Sequence, residues 1–348
     1  MPSLDGLRAI SIVLVLLGHL NGSHGFGKLD LQIGDYAYLG VVVFFVISGF
    51  LITNLLISEY AEHGRVSLKL FYARRGLRIF PASYAYIAVV VLLWCLGAFH
   101  LRQADLVCAV LYLMNYLPHR TWQLAHLWSL SVEEQFYLLW PFTFAMVRPA
   151  RRSWVLAGVI FVAVLSRLGS RLFLAGTPYR DLEMFPMVGD SLATGCLLAT
   201  MRGWLEQQSW YVMLLRPSFS VVILLMVLFL NRYMGYSIVS IFGTVLVNTG
   251  IAVLIHRSVY FAGDRFGRIL NWKPVAFIGM LSYSLYLWQQ LFINRNADAW
   301  INQFPMSLVL TLAAALVSYF GLEKPLMALR SRLRARSAAT AAAAEKTA

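Results

Sequence analysis

Charge is what this 348-residue sequence has least of: Asp, Glu, Lys and Arg make up 13% of it, against about 25% in an average soluble domain. Acidic residues are the scarcer sign, 16 against 29 Lys and Arg. Only three cysteines occur, Cys95, Cys108 and Cys196. They stand singly inside apolar stretches without metal-ligand spacing, so they read as small core hydrophobes, with neither a disulfide nor a metal site implied. With 59% hydrophobic residues and a mean hydropathy of +0.68, the shortage of charge excludes a soluble globular protein. Runs such as Val41–Ile57, Tyr84–Leu96 and Val221–Leu230 hold almost no charge, over lengths approaching the roughly 20 residues that cross a bilayer. The fold class is therefore all-α, a polytopic transmembrane helical bundle.

The net charge of +13 does not point to nucleic acid here. Basic residues are needed on the inner loops of a multi-pass protein, and topology accounts for the excess. Ten stretches have usable length: Leu7–Leu20, Leu39–Ile57, Tyr84–Phe99, Ser129–Val147, Trp154–Leu174, Met187–Met201, Ser218–Leu230, Ile238–Ile255, Val275–Ile293 and Met306–Leu322. An eleventh, Leu106–Leu117, has only twelve residues. Counting it as a span places Arg148, Arg151 and Arg152 outside and inverts the loops after them. The expectation is ten spans with both termini cytoplasmic and Leu106–Leu117 interfacial or re-entrant. No A-x-A pattern follows Ile10–Leu17, so the first span is expected to be retained rather than cleaved as a leader. Residues 1–329 are expected to form one membrane domain, and residues 330–348 a basic, Ala-rich cytoplasmic tail without fixed structure. The setting expected is an integral membrane, bacterial and inner.

Ionisable residues within spans cost roughly 2.5 to 3.5 kcal/mol each near the bilayer centre, so each is a functional candidate. The candidates are Arg8, His19, Glu133, Glu134, Asp190 and Glu323. Arg8 and His19 are eleven residues apart, which on a helix puts them on one face to within about 20° and separates them by about 16 Å. Arg8 belongs at the inner end, where it could equally be a snorkelling anchor. His19 lies toward the outer half, as a base or as a histidine bonded to a neighbouring carbonyl. Glu133 and Glu134 fall early in a span running inward, at a depth comparable with His19. They could orient its imidazole or simply complement a helix N-terminus. Arg74, Arg75 and Arg78 precede the third span, with 74 and 78 on one helical face and 75 beside them. Their guanidinium forks suit phosphates, although lipid headgroups and positive-inside retention ask for the same residues.

Seven strings in order then resemble one family, the integral-membrane acyltransferases called the acyltransferase 3 family. They are LDGLRAISIVLVLLGHL with Arg8 and His19, GVVVFFVISGFLIT (Gly40–Thr53), FYARRGLRIFP (Phe71–Pro81), HLWSLSVEEQFYLLWP (His126–Pro141), GDSLATGCLLA (Gly189–Ala199), SYSLYLW (Ser282–Trp288) and EKP (Glu323–Pro325). The resemblance implies transfer of an acyl group, usually acetyl, from cytoplasmic acyl-CoA to a hydroxyl of a glycan, glycolipid or lipid-linked acceptor, with no metal. It implies Arg8 and His19 as the catalytic motif and Arg74, Arg75 and Arg78 as the site for the CoA phosphates. A neutral imidazole can take the hydroxyl proton or carry the acyl group itself. After SYSLYLW many members have His where this chain has Gln289, which can be neither acid nor base. Some members also carry an appended esterase-like domain; none is expected here, so the acceptor is expected to be met within the membrane domain or delivered by a partner. A transporter or flippase of a lipid-linked glycan would share the spans and the inner basic residues, but no matched halves with broken helices are visible.

Overall fold

The computed structural model describes residues 3–29, 35–234 and 239–328. Among these residues no strand occurs, and ten principal helices follow one another. They are α1 (Leu4–Leu20), α2 (Tyr36–His63), α3 (Leu68–Cys95), α4 (Leu127–Met146), α5 (Pro149–Phe173), α6 (Phe185–Leu205), α7 (Pro217–Arg232), α8 (Thr244–Tyr260), α9 (Lys273–Phe292) and α10 (Met306–Ser318). π-helical turns precede α8 at Val239–Gly243 and follow α10 at Tyr319–Glu323. Each of the ten apolar stretches of the sequence falls on one of these helices. The expected tail, residues 330–348, lies outside the described residues.

Among the described residues, five segments are long and apolar enough to cross a membrane: Tyr36–His63, Leu68–Cys95, Pro149–Phe173, Val239–Tyr260 and Met306–Ala328. This is a multi-pass membrane architecture. The helices that fall short are short, as α1 and α7 are, or carry the polar groups of the bundle interior, as α4, α6 and α9 do. The stretch 106–117 forms no long helix. It contains most of an eight-residue helix, Gln103–Val110, and a 3-10 turn, Met114–Tyr116. Eight residues rise about 12 Å, well short of a bilayer core of about 30 Å.

Local chemistry sets several helix ends. Asp35 accepts the N–H of Tyr38 to cap α2, and Gly64 ends that helix in the left-handed region at φ 66°. Such a residue satisfies carbonyls that a helix end would otherwise strand. Ser67 caps α3, so this helix begins sixteen residues before the apolar stretch at Tyr84. Arg74, Arg75 and Arg78 consequently lie within the first three turns of α3, not in a loop before it. A proline in the first turn opens α5, α6, α7 and α9, where its missing N–H is not needed.

The core is a group of closely crossed helices: α2 against α6, and α1 against both α9 and α2. Side-chain size limits these crossings. A Cβ on Gly49 of α2 would stand 2.0 Å from Leu192 O of α6, and one on Gly195 of α6 would stand 2.1 Å from Val46 O of α2. Small residues allow this approach of backbones in lipid, where no hydrophobic effect drives helices together. Outside this core α5, α7 and α10 turn apolar side chains outward, among them Trp154, Phe161, Phe173, Val222, Phe229 and Val317. On a membrane protein that surface faces acyl chains rather than water.

Gly195→Ala should therefore force α2 and α6 apart, because the obstructing atom is a backbone carbonyl. Overpacking typically costs about 1–3 kcal/mol, seen as a lower melting temperature in detergent. Gly203→Ala, on the same helix with open space around it, should melt like the parent. Equal melting of the two variants would contradict the crossing described here.

Candidate active site

The polar residues of the interior form two tiers along α1, named by position on that helix: an outer tier at its C-terminal end around His19 and an inner tier at its N-terminal end around Arg8. In the outer tier His19 faces α9. Its Nδ1 is 2.9 Å from Oε1 of Gln289, and its Nε2 is 3.3 Å from Nε2 of Gln290. The Gln290 carbonyl oxygen in turn accepts the backbone N–H of His126 at 3.2 Å and lies 3.0 Å from His126 Nδ1. Leu287 O stands 3.0 Å from the other His126 ring nitrogen. Trp122 presents its ring edge-to-face to His19 at 5.7 Å between centroids and donates its indole N–H to Ile293 O. Tyr286 completes the tier, donating to His126 O and sharing a 2.5 Å contact with the Ser129 hydroxyl.

Helix geometry explains this assembly. α4 begins at Leu127, so His126 sits at its outer end, and α9 brings Gln289 and Gln290 to its own outer end. Adjacent residues on a helix point about 100° apart, which lets one glutamine reach each side of the same imidazole. The loop before α4 is tied down by Asp105, which is fully buried and accepts from Arg102, Thr121 N and Thr121 Oγ1. Arg102 also donates to His119 O. Trp122 follows directly on this anchored segment.

The inner tier holds the rest of the expected site. Arg75 lies over the Tyr137 ring, 3.7 Å from its centroid, and its Nη2 is 4.0 Å from Glu133 Oε2. Ser48 donates to Glu133 Oε1 at 2.7 Å. Arg8 is 3.8 Å from Asp5 and shares the electrostatic field of Arg75, Glu133 and Tyr137. Arg74 turns the other way, pairing with Glu59 at 2.8 Å, while the same Glu59 accepts the N–H of Ser67. Arg78 faces the field of Glu323, which accepts from the Ser284 hydroxyl. Glu134 Oε1 and Arg75 Nε are buried with no hydrogen-bond partner.

Two expectations therefore change. Glu133 and Glu134 do not lie beside His19. Seven residues separate Glu133 from His126, about 10 Å of helix rise, and this places the carboxylates with Arg75 and Arg8. The partner that orients His19 is Gln289, at the position dismissed in the sequence for lacking acid or base chemistry. Arg74 and Arg75 also part, because adjacent residues of a helix point about 100° apart: Arg74 meets Glu59 of α2 and Arg75 meets Tyr137 and Glu133 of α4. His126 and Gln290 were missed altogether. The signal for them was two adjacent glutamines in an apolar span, both now buried. Asp190 belongs elsewhere, paired with Arg167 of α5 at 3.0 Å. No group of three or more His, Cys, Asp or Glu suited to a metal occurs among the described residues. All three cysteines are free.

A half-buried imidazole held by amides, together with a tier of arginines and carboxylates inside a helical membrane bundle, makes a candidate group-transfer site. Residues 1–322 match the family model described as an acyltransferase domain, and the chain belongs to that family. It is 30% identical to the O-acetyltransferase OatA of Staphylococcus aureus over 94% of this chain and 57% of that protein. It is also 30% identical to the peptidoglycan O-acetyltransferase OatA of Listeria monocytogenes, over 83% of this chain and 48% of the relative. The chain thus spans about half the length of the curated relatives it matches. No solved structure matches it.

Arg75 is the cation that balances Glu133 and the unpaired Glu134. Removing one member of a buried pair typically costs about 3–5 kcal/mol, because the other charge is left behind. Arg75→Ala should lower the melting temperature sharply, and Arg75→Met combined with Glu133→Gln should recover much of the loss. An Arg75→Ala protein as stable as the parent would contradict the pairing.

Proposed function

We propose that this chain is a membrane O-acyltransferase that moves an acetyl group from acetyl-CoA, or another acyl group from its acyl-CoA, to a hydroxyl of a glycan or lipid-linked acceptor. The observation that carries the reading is the setting of His19, with Nδ1 2.9 Å from Gln289 Oε1 and Nε2 3.3 Å from Gln290 Nε2. The substrate hydroxyl replaces the long 3.3 Å contact at Nε2 and gives its proton to that nitrogen as its oxygen attacks the thioester carbonyl. The tetrahedral intermediate expels the CoA thiolate, which recovers the proton from the imidazolium. General-base action of this kind contributes about 10² to 10⁴ in rate. The same lone pair also suits a relay in which Nε2 accepts the acyl group first, so one residue serves both forms of the reaction.

Arg74, Arg75 and Arg78 hold the CoA phosphates at the inner end of α3, where guanidinium forks offer paired donors. Arg8, Glu133 and Glu134 keep that tier charged and in register. The name of the Listeria relative favours peptidoglycan as the acceptor. The site has the setting of a ten-span domain of residues 1–329, both termini facing the cytoplasm, in a bacterial inner membrane. Residues 330–348 form a basic tail. Loop charge supports this orientation. No metal takes part.

His19→Gln keeps size and hydrogen bonding but not basicity. Purified protein given labelled acetyl-CoA and peptidoglycan fragments should lose acetylated product and coupled CoA release by about 10² or more, at unchanged melting temperature. Wild-type transfer by this variant would contradict the mechanism. A flippase would move glycan without consuming acyl-CoA, so CoA release separates the two classes.

The orientation has its own test. In a cysteine-free background, single cysteines at positions 28 and 120 should both react with an impermeant thiol reagent added from outside. Labelling of one only from inside would overturn the ten-span arrangement.

A further inference from the structure

We infer that Gln290 is a positioning residue that fixes which nitrogen of His19 carries the proton; the inference rests on the reading of His19 as the reacting group. Three hydrogen-bonding groups meet around one amide: the His126 backbone N–H, His126 Nδ1 and His19 Nε2. The His126 backbone N–H is a donor under all conditions, and it points at Gln290 Oε1 at 3.2 Å. Turning the Gln290 amide over would set its NH2 against that N–H; with the proton of His126 on Nδ1, 3.0 Å from the same oxygen, both His126 donors hold Oε1 on their side and leave Nε2 on the His19 side. An amide nitrogen only donates. His19 Nε2, 3.3 Å away, must therefore be the unprotonated nitrogen, and Nδ1 must carry the hydrogen that it donates to Gln289 Oε1 at 2.9 Å.

The direction of control follows from the remaining contacts. Gln289 is fully buried and its Nε2 has no hydrogen-bond partner, so nothing else in the structure sets the orientation of its amide. If Gln289 alone governed His19, either tautomer would serve, with the amide turned to match. Gln290 removes that freedom, because it is tied to the backbone of α4, which cannot invert. Two glutamines thus reproduce with neutral groups what a carboxylate does in a hydrolytic triad, where the wrong tautomer costs about 10⁴ in rate. The arrangement hydrogen-bonds the His19 ring to neutral amides, which suits a site inside a membrane bundle.

The test uses the full-length protein in nanodiscs with 15N-labelled histidine, reading the tautomer of neutral His19 from its ring 15N shifts. His19 is assigned as the signal lost in His19→Gln. The parent should show protonated Nδ1 and bare Nε2. Gln290→Glu presents acceptors on both sides and should reverse the tautomer to protonated Nε2. Gln290→Met, of similar length and without hydrogen bonds, should give a mixture. Both variants should lose kcat by about 10² to 10⁴, with KM for acetyl-CoA changed less than about twofold, since the donor phosphates lie in the other tier. A parent with protonated Nε2, or the same tautomer in all three proteins, overturns the inference. Because the spectrum is read without turnover, it stands apart from the mechanism: active His19→Gln protein would remove the role of the histidine, whereas an unchanged tautomer would remove only that of Gln290.

Discussion

The depth at which α1 lies against α9 governs everything polar in this bundle. Gly279 has no side chain because the carbonyl of Asp5 occupies its place, 1.8 Å from where a Cβ would stand. That contact sets α9 at its inner end, and helix rise then carries Gln289 and Gln290 to the level of His19 at the outer end. Gly18 against Ala37, at 2.5 Å, and Gly40 against Ser11, at 2.6 Å, bring α2 close on another side. Lipid offers no hydrophobic force to bring helices together, so such contacts are held by dispersion and by hydrogen bonds between helices. A larger residue at any of them would move the imidazole away from its amides before it altered the fold.

The two tiers divide the chemistry by charge. Arginines and carboxylates gather around Arg8 and Arg75, where their fields compensate one another. Around His19 the polar groups are amides, hydroxyls and backbone, with no carboxylate bonded to the ring. On the proposed mechanism this division is functional: an anionic donor is held where cations are, and the proton is moved where the base is hydrogen-bonded to neutral amides. About 16 Å of α1 separates Arg8 from His19, so the acyl end of the donor extends along the helix from one tier to the other.

Much of this was legible in the sequence because hydropathy acts locally. The ten apolar stretches fall on the ten principal helices, and 106–117 forms no spanning helix. The sequence also marks Arg8 and His19 as residues of one helix face. What it hides is the register between helices. Glu133 read as a neighbour of His19 because depth was counted from an assumed membrane boundary at Ser129, while α4 begins at Leu127 beside His126 and carries the carboxylates inward. Arg74 and Arg78 read as one fork because they share a helical face, yet Glu59 on α2 draws Arg74 aside. Gln289 was passed over because its side chain does no acid–base chemistry. Its part is to hold a neighbour, and no single sequence expresses that.

The most direct test is a cryo-EM structure of the protein in nanodiscs with an acyl-CoA analogue whose thioester sulfur is replaced by methylene, so that no transfer occurs. The account predicts phosphate density at Arg74, Arg75 and Arg78, and the acyl carbonyl carbon within about 4 Å of His19 Nε2, close to the separation from which reacting atoms engage. An analogue whose carbonyl rests away from His19, or whose phosphates bind elsewhere, would contradict it.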